Sequence, residues 1–210
     1  SFFNVPLGDF ISCLNHSLQQ GYTVEWDADV SNPGFGAQFG LAVVPEADWK
    51  KKDKDQIAAT FQYWEPEKQV DQKYRQQLFD RLETQDDHLM HIVGMLNETH
   101  SGIYYVVKNS WGEISDRKGY VYVSEPYMRL NTISFTVHKK SLPRDIRQRM
   151  GLERGDPNAQ SDSGASPAPA TQPNGETPAS IAPTNNKMQP GKPRVVPLAK
   201  PTRTGAINKE

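Results

Sequence analysis

Two short segments of this sequence place polar side chains where a strand would ordinarily carry apolar ones. In Asp86-Asp87-His88-Leu89-Met90-His91-Ile92-Val93-Gly94 an imidazole opens a run of strand-forming residues. Period-two alternation puts His88 on one face with Met90 and Ile92, and His91 on the other with Leu89 and Val93. An imidazole can act as a general base near neutral pH when a neighbour fixes its ring and its tautomer. The second segment, Lys108-Asn109-Ser110-Trp111-Gly112, can supply such a neighbour. Asn109 follows His88 by 21 residues. Removing a turn of about six leaves two strands of matching length, so a hairpin should return Asn109 to the side of His88. An amide carbonyl there can orient the ring, and the Trp111 indole can shield that hydrogen bond from water.

The other polar candidates read as less specialised. His16 on the first helix, His100 in the hairpin turn and His138 near the last strand read as surface residues. Asp86 and Asp87 could tune His88, but a solvated pair of loop carboxylates is the default. Asp27 and Asp29 lack the further oxygen ligands that calcium would need, so no metal site and no cofactor are expected. The single cysteine, Cys13, excludes an internal disulfide and a cysteine-rich zinc site. It sits inside an amphipathic helix and reads as a core thiol. No substrate-binding residue can be named.

The elements that must position His88 and Asn109 follow from periodicity. Leu7, Phe10, Ile11, Leu14 and Leu18 mark a first helix between Pro6 and Gly21, which runs into a strand over Tyr22–Trp26. Asp27–Gly40 is rich in turn formers and reads as an irregular loop, and residues 46–65 as surface. Val70, Tyr74, Leu78 and Leu82 mark a second helix. Strands are expected over His88–Leu96, Ile103–Lys108, Gly119–Ser124 and Thr132–Lys139, with a last short helix after Pro143. Helices followed by antiparallel strands give an α+β fold dominated by a small sheet or half-barrel that carries the His and the Asn.

This pattern stops near residue 150. All 20 aromatic residues lie between Phe2 and Phe135, and ten of the 16 prolines lie after residue 156. A segment of that composition cannot bury enough apolar surface to offset about 1–2 kcal/mol of backbone entropy per residue. Residues 1–150 are therefore expected to be the folded part and residues 151–210 a disordered tail rich in Pro, Ala, Ser and Thr. The tail carries a small basic excess, but the net charge of the chain is −1. That balance argues against a nucleic-acid partner, and no apolar run is long enough for a membrane span.

DHLMHIVG, then YYVVKNSWG, then KGYVYVS resembles the histidine and asparagine motifs of papain-like cysteine peptidases. The segments TQDDHLMHIVG, GYTVEWDADVS and ISFTVHKK are most similar to the bleomycin hydrolase / aminopeptidase C branch. The resemblance covers about residues 5–141 and implies a papain-like fold. It makes His88 the catalytic base, Asn109 its orienting partner and Trp111 their cover, in a Cys-His-Asn mechanism. It implies a peptide substrate, a cleft near Trp26–Val30, a hexameric homo-oligomer and a cytoplasmic location. His91 falls where the family has an apolar residue, which implies a structural role. The family's nucleophile follows a Gln and precedes an aromatic residue. Cys13 precedes Leu14 and lies 75 residues before His88, against about 130 or more in the family. The chain starts at Ser1 without a Met, so it is expected to be the C-terminal half of a thiol aminopeptidase, inactive alone. The alternative is a non-catalytic peptide-binding or assembly module.

Overall fold

A computed structural model describes residues 2–98 and 101–152. The expected tail over 151–210 lies almost wholly outside the described residues, as does His100. Leu7, Ile11 and Leu14 form the buried stripe of α1 (Leu7–Gln19), as their spacing predicts. Pro6 at its N-cap has no side-chain acceptor to offer. The free N–H of Leu7 donates instead to Gln72 Oε1 at 2.8 Å, so a distant helix caps this one.

Seven strands are described: β1 (Val24–Ala28), β2 (Phe35–Gly36), β3 (Leu41–Ala42), β4 (His88–Glu98), β5 (Gly102–Lys108), β6 (Tyr120–Ser124) and β7 (Thr132–Thr136). They form one curled half-barrel sheet in the order β2-β3-β6-β5-β4-β1-β7. Four further helices accompany it: α2 (Lys54–Thr60), α3 (Gln72–Asp80), α4 (Glu125–Asn131) and α5 (Arg144–Arg149). The α+β papain-like architecture is the one expected. The sheet is not wholly antiparallel, however, because β3 runs parallel to β6. A parallel pair needs a long connection, and here residues 43–119 lie between the two strands.

The core lies between the sheet and the helices. Val24 and Trp26 of β1, Met90 and Ile92 of β4, Tyr105 and Val107 of β5 meet Leu7, Ile11 and Leu14 of α1 and Tyr127 and Met128 of α4. Trp26 is fully buried, and its indole Nε1–H donates to Thr132 Oγ1 at 2.8 Å. A buried indole is tolerated because that donor is satisfied. Cys13 packs in a separate small cluster with Leu142 and Ile146, which bears out the core-thiol reading. Among the described residues no helix is long and apolar enough to cross a membrane.

Several local expectations needed tertiary information. The first strand starts at Val24 and runs two residues beyond Trp26, because β4 and β7 pair with it on both sides. Inside the expected loop Asp27–Gly40 lie β2 and a 3₁₀ turn over Ala37–Phe39. The surface stretch 46–65 contains α2, closed by a capping box between Asp53 and Gln56. It also contains Lys52, whose ammonium sits between Thr60 Oγ1 (2.6 Å) and Glu65 Oε1 (2.5 Å). The helix α4 was not expected. Its signals are Ser124 as N-cap to the Tyr127 N–H, Pro126 in the first turn and the Glu125–Arg129 pair. His16 is half-buried rather than free on the surface, and Nδ1–H donates to Ser141 O at 2.6 Å where the 3₁₀ turn Lys139–Ser141 folds back on α1.

Candidate active site

His88 is the first residue of β4, and the pairing of β4 with β5 decides what faces it. Lys108 pairs with His91 and Val107 with Ile92, after which the register shifts by one residue between Ile92 and Gly94. The extra residue, Val93, is a bulge. Continued past the end of β5, this register sets Asn109 opposite Met90 and Trp111 opposite His88. Asn109 thus returns to the side of His88, as the hairpin suggests, and does so as a diagonal neighbour. Both lie on the same face, and diagonal side chains are within reach of each other. His88 Nε2 and Asn109 Oδ1 are 2.9 Å apart. An amide oxygen can only accept, so the imidazole is the donor and carries its proton on Nε2. Nδ1 is then the nitrogen left to take a proton from elsewhere.

The indole of Trp111 stacks on the imidazole, with ring centres 4.6 Å apart and planes inclined by 27°. The residue is 45% exposed. Phe35 of β2 meets the indole edge-on at 6.0 Å. Sequence reasoning did not single out Phe35, whose only signal is an aromatic residue between two glycines. Asn109 is 3% exposed. Its Oδ1 also accepts the N–H of Ser110 at 2.7 Å, while its Nδ2 is buried without a partner among the described residues.

The loop that carries Trp111 is closed at its base. Asn109 N–H donates to Gly119 O at 3.0 Å, and Lys108 Nζ donates to Lys118 O at 3.1 Å. Gly119 has φ +79°, and a Cβ there would stand 2.5 Å from Gly112 O. Only glycine allows both that conformation and that approach.

The segment Trp26–Val30 runs beside His88, with Ala28 as its Cα partner in the β1–β4 register. Asp87 is not a free carboxylate, since it accepts the N–H groups of Val30 (2.9 Å) and Ser31 (3.1 Å). His91 is exposed on the outer face with Leu89 and Val93, as alternation predicts. Among the described residues no group of three or more His, Cys, Asp or Glu is placed to hold a metal.

Asp86 is also engaged. It faces Asp27, whose Oδ1 is buried and has no donor while both groups are ionised. Burial first, and the hydrogen bond with Asp86 second, raise the Asp27 carboxyl above its ordinary 3.8. A carboxyl raised in the folded state stabilises the fold below its unfolded value and loses that contribution as pH rises through the folded value. An amide at this position stays neutral throughout. Asp27→Asn should therefore gain on the parent in stability as pH rises from 4 to 7, by less than about 1 kcal/mol because solvent screens the pair. Urea unfolding at the two pH values reads this directly, and an equal difference at both would show that the Asp27 carboxyl is not raised by folding.

Cys13 is 1% exposed, and burial together with Asp9 pushes its thiol up to about 11. It is protonated at neutral pH and closed to a substrate.

Comparison with known proteins gives a family and a fold relative. The sequence profile described as the Peptidase C1-like family matches residues 36–157. Among solved structures, the chain is similar to PepW from Lactobacillus rhamnosis HN001 (DR20), solved as the selenomethionine derivative. The two are 21% identical with a TM-score of 0.49, over 72% of this chain and 31% of that one. The chain thus spans about a third of that protein's length. No curated protein matches the chain.

Proposed function

Because the chain belongs to the Peptidase C1-like family, we propose that it supplies the base half of a thiol peptidase, in which His88 is the general base and Asn109 its orienting partner. The observation that carries this reading is the 2.9 Å hydrogen bond between His88 and Asn109, covered by the stacked Trp111 ring. With Nε2–H held by Asn109, Nδ1 accepts the proton of a cysteine thiol, and the pair becomes thiolate and imidazolium. The thiolate adds to the scissile carbonyl, and the imidazolium returns the proton to the departing amine. Water activated by the same imidazole then cleaves the thioester. Cys13 is buried and protonated, so the nucleophile belongs to polypeptide beyond this chain. Similarity to the bleomycin hydrolase / aminopeptidase C branch favours removal of single N-terminal residues from peptides.

The test compares the complete native protein with the 210-residue chain on aminoacyl-coumarin substrates, with free and with blocked N-termini. Hydrolysis is expected from the complete protein alone, on free N-termini only. An epoxide-type thiol inhibitor should abolish it and label a cysteine other than Cys13. Turnover indifferent to the inhibitor, or a label on Cys13, would overturn the mechanism. Peptide binding without any turnover would mark a non-catalytic module instead.

A further inference from the structure

His88 begins its strand, and the residues that lead into it, 81–87, belong to no helix or strand. A catalytic imidazole must be held within about 0.5 Å of its working position, and a strand end by itself frays. What holds this one is traceable to a residue well outside the hydrogen-bonded pair.

Asp29 is 1% exposed, a carboxylate taken almost wholly out of water. Such a group is stable only when its lone pairs are occupied. Oδ1 accepts from Ser31 N (3.0 Å), Ser31 Oγ (3.2 Å) and Asn32 Nδ2 (3.1 Å), all within its own turn. Oδ2 reaches across the chain and accepts the N–H of Gln85 at 2.9 Å, three residues before His88. The neighbouring backbone repeats the link, since Val30 and Ser31 donate to Asp87. Asp29 is itself anchored on α4. Its N–H donates to Asn131 O at 2.9 Å, and its carbonyl accepts the buried Tyr127 hydroxyl at 2.8 Å. The approach to His88 is thereby tied to the core.

We propose that Asp29 is a positioning residue for His88, acting through its Oδ2 bond to Gln85. The proposal rests on the reading of His88 as the base held by Asn109. Three of the four donors on Asp29 serve its own turn and would suffice for local order. The fourth serves only the segment that delivers His88.

The imidazole ring nitrogens of the 210-residue chain, labelled with ¹⁵N, give a readout that needs no turnover. In the parent, His88 should show one tautomer, with a slowly exchanging Nε2–H. Asp29→Asn keeps an oxygen for Ser31 and Asn32 but turns an NH₂ toward the Gln85 N–H. The Nε2–H signal should then be lost to exchange and the tautomers should average. Tyr127→Phe removes a bond on the α4 side and should lower stability while leaving that signal in place. Gln85→Pro deletes the same bond from the donor side and should reproduce the Asp29→Asn loss, which keeps the test open if Asp29→Asn does not fold. A parent-like signal in Asp29→Asn or in Gln85→Pro would overturn the proposal, as would its loss in Tyr127→Phe. A parent without the Nε2–H tautomer would overturn the His88–Asn109 pairing itself, and with it the proposed function.

Discussion

Replacing His88 by alanine in the complete protein should lower the kcat/KM of peptide hydrolysis by about 10⁴-fold on the proposed mechanism, in which one imidazole performs every proton transfer. Without it the thiol stays protonated and a poor nucleophile, and the departing amine has no acid to protonate it. KM should change little, since the loss falls on the proton transfers rather than on substrate binding. Titrating the nucleophile with a thiol reagent across pH gives the more direct reading. The parent should react well below the pH range of a free thiol, and the variant only near it. A loss of tenfold or less, with the reactivity profile unchanged, would show that another group is the base.

Trp26→Ala should be the most damaging substitution in the described core. The side chain is fully buried, and its removal leaves a large cavity and takes away the indole donor to Thr132 Oγ1, a hydroxyl that still donates to Met128 O. Large-to-small changes of this kind cost about 3–5 kcal/mol. Against a total of about 5–15 kcal/mol for a domain, that is a large fraction of the stability. Urea unfolding should show the midpoint moving sharply downward with the slope preserved. Trp26→Phe keeps most of the volume and loses the indole donor, so a drop of about 1–2 kcal/mol is expected. A drop of the same size in both variants would mean that the hydrogen bond, not the packing, carries the effect. Because β1 pairs with β4 beside His88, the alanine variant should also loosen the His88 ring.

Much of the fold is legible in the sequence because its signals are local. The helix α1 follows from Leu7, Ile11 and Leu14 at helical spacing, and β4 and β5 from alternation around a turn. The same alternation places His88 inward with Met90 and Ile92, and Leu89, His91 and Val93 outward. The misses have identifiable causes. The helix α4 was hidden because Thr132–Thr136 follows it without a break and the run reads as β-rich. The short strands β2 and β3 carry no periodicity of their own and exist only because each finds a partner. Asp86 and Asp87 look solvated in sequence, since nothing local shows that the Asp27–Ser31 segment will lie against them.

For the chemistry the division is similar. Residue type and order alone identified His88, Asn109 and Trp111 as a set, and the company of Cys13 identified it as a core thiol, because each judgement depends on side-chain chemistry and near neighbours. Only the tertiary structure decided how the set meets. One bulge at Val93 makes Asn109 a diagonal neighbour and puts Trp111 across from the imidazole. Only it could show that Asp29, which looks like a loop carboxylate, is buried and bonded to Gln85 across 56 residues. Strand register and long-range burial arise from contacts between segments far apart in the chain, and no local pattern records them.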